Sequence, residues 1–404
     1  MDICRWCSAD LANPVLDFGC QPIAHDFARS RDATGEFRHR LALHLCKQCG
    51  LLQISQPVPQ EVLYDNYVCL SQWKVNPHLN QLWEQVAMLP ELDPATDLVV
   101  EAGCNDGGFL LGLRERGFQR LAGIEPARDV EAIARQSGLD TIRDFLCDAS
   151  AEALLTSRGK CRLFVSRHVL EHVQDLHSFL SSLQRILAPE AHVLIEVPNF
   201  EFNLRWLDYG GVWEQHVNYF TATSLARLLA AYGIRVDRTE TATFSGEALI
   251  VWGRFDGVTS ATNDVHLAEV IRTVQQFSAS WPGFQAMLLE EVKRLRSVHG
   301  PIAVYGAGCR ACSLINFTGL GELLDFAVDD QPEKQGLFLP GSRLEIRPSA
   351  ALIEDGIQVC LLAVNSENEE RVIQRNQSFV DRGGQFLSLH PPSTRLIEPW
   401  RAMV

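Results

Sequence analysis

The residues best suited to chemistry in the middle of the chain lie in the stretch VWEQHVNYFT, residues 212–221. Glu214, Gln215 and His216 stand side by side there. Histidine titrates near neutral pH, so it can remove a proton from carbon, and a neighbouring carboxylate can fix its tautomer or stabilise its charged form. An amide cannot accept that proton, but it can donate a hydrogen bond to an oxygen that becomes negative. The alternative for His216 is a core histidine bonded to backbone.

Four cysteines have the spacing of a metal site. Cys4 and Cys7 form one CxxC pair and Cys46 and Cys49 a second, and each pair can bind a tetrahedral zinc ion through two thiolates. Four sulfur ligands leave no open position, so we expect a structural zinc rather than a catalytic one. Three other residues could each replace one ligand: Cys20, His25 and His44.

A glycine-rich turn follows an apolar run in LVVEAGCNDGGFLLGL, residues 98–113. The order predicts strand, turn and helix, in which glycines let the backbone approach a ligand and the helix start offers unpaired N–H groups. The pattern differs from the GxGxxG of dinucleotide-binding turns. Further on, RLAGIEPA predicts a second strand with Glu125 at its end, where it could accept hydrogen bonds from two ribose hydroxyls. The alternative for Glu125 is a solvated surface carboxylate.

Strands alternate with helices through the rest of the middle region. CRLFVSRHVLEHV and HVLIEVPNF predict two more strands, separated by the helical DLHSFLSSLQRILA, as in an open parallel sheet. A polar stretch, GRFDGVTSATNDVH, marks a boundary, and we expect a long amphipathic helix near residues 263–298 to bridge it.

The last third contains a second unit of strand, glycine turn and helix. PIAVYGAGCRACSLIN supplies these elements, and LLDFAVDDQ adds a strand that ends in Asp329 and Asp330. The unit could bind a second nucleotide, or it could be a fold that packs against the active site and shapes it. GAGCRA lacks the third spaced glycine of a dinucleotide fingerprint, so we favour the second interpretation.

The succession of strands, turns and helices resembles the class I S-adenosylmethionine-dependent methyltransferases. Over nearly the full chain it resembles the sugar C-methyltransferases that act on nucleotide-linked 4-keto-6-deoxyhexoses. The resemblance rests on CRWC with CKQCGLLQ, EAGCNDGGFL, VLEHV, VYGAGCRACSLINF and AVDDQPEKQGLFLPGSRLEI. It implies an α/β chain with a zinc-binding domain at residues 1–62, a class I Rossmann-like methyltransferase domain at 63–255 and a Rossmann-like domain at 256–404.

The resemblance also implies which residues contact S-adenosylmethionine. The turn at Gly103 would contact the methionine part, Glu125 the ribose, and the pair Asp144 and Phe145 the adenine. His168 would line the cofactor pocket or merely pack. The full predicted set is Glu101, Gly103, Asn105, Asp106, Gly107, Glu125, Pro126, Asp144, Phe145, Arg167 and His168.

The proton-transfer residues follow from the same resemblance. In those enzymes a Tyr-x-Glu-His segment precedes a second tyrosine, and its histidine is the favoured general base that removes a proton next to the ketone. His216 and Tyr219 match that segment, whereas Trp213 replaces the first tyrosine and Gln215 the glutamate, with Glu214 one position early. This departure leaves the acceptor and the proton route open.

Further candidates surround this segment. His172, in VLEHV, is expected to contact the substrate or relay a proton. Tyr64 and Tyr67 match a tyrosine-rich segment that caps the active site, and their alternative role is to pack the zinc domain onto the sheet. Glu171 is interpreted as solvated or structural.

Composition sets limits on function. A length of 404 residues predicts two or three domains, and the net charge of −14 argues against nucleic acid, because phosphate binding needs clustered Lys and Arg. No apolar run approaches the about 20 residues that span a bilayer, and the amino terminus has no signal-peptide pattern. We therefore expect a soluble, cytoplasmic enzyme without a membrane partner and make no prediction of its oligomeric state.

The sequence thus predicts a zinc-containing, S-adenosylmethionine-dependent C-methyltransferase acting on a nucleotide-linked keto-deoxysugar through an enolate. Two alternatives stay open: methylation of carbon or oxygen on a non-sugar acceptor, and a binding or assembly relative whose acid–base pair is altered.

Overall fold

The computed structural model describes residues 2–59, 62–63, 78–259 and 265–403. Tyr64 and Tyr67, which the sequence predicted to cap the active site, lie outside these ranges. The amino-terminal region contains three strands: β1 (Leu16–Pro22), β2 (Arg38–Leu45) and β3 (Leu52–Ile54). Each strand pairs antiparallel with the next.

The middle region alternates strands and helices. Its first strand is apolar and buried along its whole length, which is typical of a parallel strand covered on both faces. The elements are α1 (Leu79–Ala87), β4 (Leu98–Ala102), α2 (Gly108–Glu115), β5 (Arg120–Ile124), α3 (Arg128–Gln136), β6 (Asp140–Ile142), α4 (Asp148–Arg158), β7 (Cys161–Arg167), α5 (Leu176–Ile186), β8 (Leu187–Pro198), α6 (Phe200–Trp206), β9 (Asn218–Tyr219), α7 (Ala222–Ala231), β10 (Ile234–Ala242) and β11 (Ala248–Phe255).

Seven of these strands form one sheet in the order β6-β5-β4-β7-β8-β11-β10. The pairs from β6 to β8 are parallel, whereas β11 runs antiparallel to both of its neighbours. The strand order reverses at β4, and ligands of open α/β sheets bind beside such a switch point, at the carboxyl ends of the strands. The predicted class I methyltransferase fold is confirmed.

The last region is a second α/β unit, whose five strands form a parallel sheet in the order β14-β13-β12-β15-β16. The long helix predicted near residues 263–298 is confirmed as its first element. The elements are α8 (Val265–His299), β12 (Ile302–Tyr305), α9 (Cys309–Thr318), β13 (Phe326–Val328), β14 (Ile346–Arg347), α10 (Ala351–Glu354), β15 (Val359–Leu362), α11 (Ser366–Arg375), α12 (Gln377–Asp381) and β16 (Gln385–Ser388).

The zinc-binding region shares its sheet with residues 212–221, named the catalytic segment below because the sequence predicts the general base there. Strand β9 joins the edge of β3, so the sheet has the order β1-β2-β3-β9. Leu52 pairs with Tyr219 and Gln53 with Asn218, and the Ile54 N–H donates to the Val217 carbonyl over 3.0 Å. A segment more than 150 residues away along the chain therefore completes the amino-terminal sheet.

Buried contacts join all three regions. Phe18 of β1 stacks on Phe317 of α9 with ring centroids 3.9 Å apart. Tyr209, just after α6, stacks on Phe277 of α8 at 4.3 Å. Continuous packing of this kind means that displacement of one region disturbs the others. Among the helices of the described residues, none combines the length and the apolar character needed to cross a membrane.

Candidate active site and zinc centre

The four predicted zinc ligands converge on one point. Their sulfur atoms all lie within 4.8 Å of one another, with Cys4 Sγ 3.6 Å from Cys49 Sγ and Cys7 Sγ 3.5 Å from Cys46 Sγ. A tetrahedral zinc with Zn–S bonds of about 2.3 Å separates its sulfur ligands by about 3.8 Å. Four thiolates at this spacing fit a structural zinc, and Cys4, Cys7, Cys46 and Cys49 stay its predicted ligands.

None of the three alternative ligands belongs to this cluster. Cys20 is exposed on β1. His44 Nδ1 bonds the Ala12 carbonyl at 3.0 Å, and His25 lies beside Gln215. Instead, the buried side chain of Gln53 donates to Cys4 Sγ over 3.2 Å, a supporting contact that the sequence did not indicate.

The predicted cofactor turn lies at the carboxyl ends of β4 and β5. Gly103 has a φ of +72°, and a Cβ at this position would lie 2.2 Å from Val169 Cγ2. Glycine is therefore required here because the turn packs against the segment after β7, as well as for approach of a ligand. Asp106 accepts the Gly108 N–H over 3.1 Å at the start of α2, so the carboxylate is used within the turn.

Glu125 is buried, with 7% of its surface exposed, so the alternative of a solvated surface carboxylate is wrong. Its Oε2 accepts the Asn105 N–H and its Oε1 the Ala127 N–H, both over 2.9 Å. Burial raises the pKa of Glu125, and these two backbone bonds oppose the rise. Each oxygen keeps a second lone pair, so the carboxylate can still accept hydrogen bonds from ribose hydroxyls.

Glu101 is the strongest feature for binding a cationic group at this sheet edge. The residue is 2% exposed, and its Oε2 has no hydrogen-bond partner within the described ranges. Burial raises the pKa of Glu101 to about 8, although the nearby Arg167 opposes this shift. A buried carboxyl group without a partner fits a cofactor that carries an ammonium and a sulfonium charge.

The predicted adenine end of the pocket lies after β6. Asp144 Oδ1 accepts the Phe145 N–H over 2.8 Å, and half of the Phe145 surface is exposed. An exposed aromatic ring can stack on a flat heterocycle. Pro126 follows Glu125 at the end of β5, at the same edge of the sheet. The residues present therefore fit S-adenosylmethionine, and their individual contacts stay predictions.

Arg167 and His168, both predicted to contact the cofactor, bind a buried carboxylate. Arg167 Nε lies 2.8 Å from Glu196 Oε2, and His168 Nε2 lies 3.0 Å from Glu196 Oε1. His78 Nε2 also contacts Glu196 Oε1, at 2.7 Å. Burial opposes a charge on His168, but the Glu196 and Glu171 carboxylates outweigh it and raise the pKa of His168 to about 9. Glu196 lies in the predicted strand HVLIEVPNF, but the sequence did not indicate that Glu196 and His78 belong to the site. Their contact joins segments that are far apart along the chain.

His216 lies in a buried aromatic setting. Its ring centroid is 3.8 Å from that of Trp213 and 4.8 Å from that of His172. Burial, with a smaller effect of His172 and His168, holds the pKa of His216 well below its usual value, so the ring is neutral at physiological pH. In the part of the chain that the structure describes, neither ring nitrogen of His216 has a hydrogen-bond partner. The interpretation of a backbone-bonded core histidine therefore does not fit.

His172 is oriented toward His216 by the backbone. Its Nδ1 donates to the Gln215 carbonyl over 2.9 Å, which leaves Nε2 as the nitrogen with a free lone pair. Nε2 lies 4.0 Å from Glu171 Oε1, and that same oxygen is 3.4 Å from His168 Nδ1. Glu171 is 1% exposed, so the interpretation of a solvated residue is wrong, and the interpretation of a structural residue remains.

Backbone bonds hold the catalytic segment against the turn that contains Glu171. The Val217 N–H donates to the Glu171 carbonyl over 2.8 Å, and Asn218 Nδ2 donates to the Val173 carbonyl over 2.7 Å. The Tyr219 hydroxyl donates to the Trp213 carbonyl over 3.2 Å and accepts the Trp213 N–H over 3.3 Å. Both bonds of this hydroxyl close the loop, so Tyr219 has a structural role, and its catalytic role stays a prediction.

Glu214 does not pair with His216, contrary to expectation. Its Oε1 accepts the Ala24 N–H over 3.0 Å and lies 3.8 Å from His25 Nδ1. Burial raises the pKa of Glu214 to about 7, although the Ala24 bond opposes the rise. Gln215 also faces the zinc-binding region, with Nε2 3.0 Å from His25 Nδ1. One of its two amide N–H groups is therefore already used.

The glycine turn of the last region serves its own fold. Asp329 Oδ2 accepts the Ala307 N–H over 2.9 Å and lies 3.2 Å from Lys334 Nζ. The Tyr305 hydroxyl donates to Asp330 Oδ1 over 2.6 Å. Burial, with a contribution from Glu214, raises the pKa of Cys309 to about 12, because the first residue of α9 lies near the catalytic segment. These contacts favour the interpretation that this region shapes the active site.

Three family models match the chain. A methyltransferase domain matches residues 77–239, a C-methyltransferase C-terminal domain matches residues 259–391, and a zinc binding domain matches residues 4–64. C-methyltransferase NovU from Streptomyces niveus is 29% identical over 405 residues, which cover 96% of this chain and 95% of that protein.

Solved methyltransferase structures resemble the middle of the chain. The 1,6-didemethyltoxoflavin-N1-methyltransferase of Burkholderia thailandensis is 15% identical with a TM-score of 0.40, over 51% of this chain and 94% of that one. An S-adenosylmethionine-dependent methyltransferase from Mesorhizobium loti is 17% identical with a TM-score of 0.33, over 44% of this chain and 99% of that one.

Proposed function

Since this chain is an S-adenosylmethionine-dependent C-methyltransferase with an amino-terminal zinc-binding domain, we propose that its acceptor is a nucleotide-linked keto-deoxysugar and that His216 is the general base. The observation that carries the proposal is the buried ring of His216: burial holds its pKa well below the usual value, and its nitrogens have no hydrogen-bond partner among the described residues. A histidine in this state can take a proton without first losing one.

A base is needed because carbon does not attack a methyl group unless it carries electron density. Removal of a proton next to a ketone leaves an enolate, in which the neighbouring carbon is nucleophilic. When bound, S-adenosylmethionine supplies the electrophilic methyl group. His216 holds the proton that leaves the sugar, and the free nitrogen of His172 can share it. Glu171, beside His172, offsets the positive charge that the two imidazoles then carry.

Burial of these groups supports the same chemistry. Glu214, Gln215 and His216 are each less than a tenth exposed. Water would compete for the proton and for the enolate, and a closed site excludes it and strengthens the remaining electrostatic interactions. The free N–H of Gln215 can donate to the enolate oxygen.

Two alternatives remain to be tested. Trp213 and Gln215 depart from the segment typical of sugar C-methyltransferases, which is compatible with a non-sugar acceptor or with methylation of oxygen. A relative without catalytic activity is disfavoured, because Glu101, the Glu125 turn and His216 all retain groups suited to cofactor binding and proton removal.

An acceptor screen tests the proposal. The protein is incubated with S-adenosylmethionine labelled with ¹³C at the methyl group and with a panel of nucleotide-linked 4-keto sugars, their reduced 4-hydroxy counterparts and non-sugar ketones. We expect label on carbon, as a C–CH₃ signal, with keto sugars alone. Label on oxygen, transfer to the 4-hydroxy sugars or transfer only to non-sugar ketones would reject the proposed acceptor. No transfer to any acceptor would favour the non-catalytic alternative.

Replacement of Glu125 by alanine should weaken S-adenosylmethionine binding by about 10- to 100-fold, because two hydrogen bonds to an ionised carboxylate are lost. Isothermal titration calorimetry measures this affinity. Glu125→Gln keeps one acceptor oxygen, so its affinity for S-adenosylmethionine should lie between that of Glu125→Ala and that of the wild type. Asp329→Ala is the matched control, since Asp329 holds the equivalent turn in the last region. This variant should bind S-adenosylmethionine with the wild-type affinity. An unaltered affinity in Glu125→Ala would contradict the ribose assignment.

A further inference from the structure

The loop that follows β1, residues 23–28, leaves the zinc-binding region and reaches both other regions. The Ala24 N–H bonds Glu214 Oε1 of the catalytic segment. Ala28 exchanges two backbone hydrogen bonds with Phe338, of 3.0 and 2.8 Å. Ile23 and Ala24 are buried. The 23–28 loop is therefore fixed at both ends, and His25 follows the first of these anchors directly.

His25 contacts two neighbours in the catalytic segment. Its Nδ1 lies 3.0 Å from Gln215 Nε2 and 3.8 Å from Glu214 Oε1. The backbone of Leu63 also lies near the ring and raises its pKa. These contacts join three parts of the chain that are distant in sequence.

The contact with Gln215 fixes the tautomer of His25. An amide nitrogen can only donate, so Nδ1 must be the unprotonated acceptor nitrogen. Burial lowers the pKa of His25, more than Asp26 and the Leu63 bond raise it, so the ring is neutral. The ring proton is then on Nε2, the nitrogen that can donate to a backbone carbonyl.

We infer that His25 is a positioning residue of the methyl transfer, which holds the Gln215 amide in one orientation and so couples the zinc-binding region to the catalytic segment. The inference rests on the proposed function, in which Gln215 faces the acceptor. Within the described ranges, only the contact with His25 uses the Gln215 amide, so its second N–H and its oxygen can bind the acceptor. The zinc-binding region therefore supplies one of the contacts that orient the site.

Two isosteric variants separate the two ring nitrogens. The side-chain oxygen of asparagine can lie where Nδ1 lies, so His25→Asn keeps the acceptor for Gln215. Glutamine reaches to the position of Nε2, so His25→Gln keeps only the contact with Leu63. We expect His25→Ala and His25→Gln to lower kcat about 10-fold, the cost of one positioning hydrogen bond, whereas His25→Asn stays within about twofold of the wild type. His39→Ala, a β2 histidine bonded to the Gln56 carbonyl, is the control and should retain activity.

A double-mutant cycle tests the coupling with Gln215. If His25 acts through the Gln215 amide, the double variant Gln215→Ala with His25→Ala should have the same kcat as Gln215→Ala alone. The affinity for S-adenosylmethionine and the zinc content should not change in any of these variants. The inference would be overturned if the kcat losses of the two single variants multiplied in the double variant. It would also be overturned if His25→Gln were active and His25→Asn inactive, because His25 would then act through its contact with Leu63.

A measurement without substrate keeps this inference separate from the proposed function. In protein labelled with ¹⁵N-histidine, the His25 signals should be those of an unprotonated Nδ1 and a protonated Nε2, and Gln215→Leu should shift Nδ1. A protonated Nδ1 in the wild type would overturn the inference. Failure of every keto sugar as acceptor would reject the proposed function and leave this result unaffected.

Discussion

Replacing His216 by alanine should lower methyl transfer by about 10²- to 10⁴-fold and leave S-adenosylmethionine affinity almost unchanged. The loss is large because general-base catalysis disappears, and the affinity persists because the predicted cofactor residues lie at the ends of β4, β5, β6 and β7, outside the catalytic segment. Single-turnover rates and calorimetry measure the two quantities. His177→Ala is the control, since this exposed histidine bonds the Tyr232 hydroxyl rather than the catalytic segment. Equal losses of rate and cofactor affinity would reject the assignment.

The pH dependence separates His216 from Glu214 as the base. His216 has a pKa well below 6.5, so its neutral form persists as the pH falls from 8 to 6.5 and kcat/KM for the acceptor should stay level. Glu214 has a pKa of about 7, so a Glu214 base would be protonated over this range and kcat/KM would fall. The measurement uses saturating S-adenosylmethionine, which removes any effect of Glu101 on cofactor binding.

Removal of zinc should abolish methyl transfer as well as unfold the amino-terminal region. Structural zinc in small domains contributes about 10–16 kcal/mol, comparable with the whole stability of a typical domain. Because β3 pairs with β9, loss of the zinc-binding fold also removes the edge that holds Tyr219 and the catalytic segment. Metal analysis should find one zinc per chain, and Cys46→Ser with Cys49→Ser should lose the metal, the activity and resistance to proteolysis together.

Cys20→Ser is the control for the zinc prediction, because this exposed cysteine lies in the same region and outside the cluster. It should retain zinc and activity. A protein freed of zinc by a chelator that still transfers methyl groups and melts at the wild-type temperature would contradict the structural role of the metal.

Features set by nearby residues could be predicted from the sequence. The two CxxC pairs need only local turns plus one long contact, and strand, glycine turn and helix follow one another directly around Gly103 and again around Gly306. The carboxylate of Glu125 was placed correctly at the end of its strand for the same reason. Periodicity and turn chemistry are local signals, so they give elements and their order.

Contacts between distant segments could not be predicted in this way. Glu214 was paired with its neighbour His216, but the Ala24 N–H, 190 residues away, takes its carboxylate. The resemblance gave Tyr219 a catalytic role, and nothing in the sequence indicated its hydroxyl bonds to Trp213, because those bonds depend on how the loop closes. The pairing of β9 with β3 could not be predicted from the sequence of either strand, because a strand of two residues has almost no pattern of its own.

Hydrogen exchange at the acceptor tests the central claim most directly. The protein is incubated in heavy water with a nucleotide-linked keto sugar that it methylates and with S-adenosylhomocysteine, which occupies the cofactor site but has no methyl group to give. Wild type should exchange the proton next to the ketone, because His216 removes it before transfer, whereas His216→Ala should not. Exchange at the wild-type rate in His216→Ala would contradict the account and make Glu214 or His172 the base.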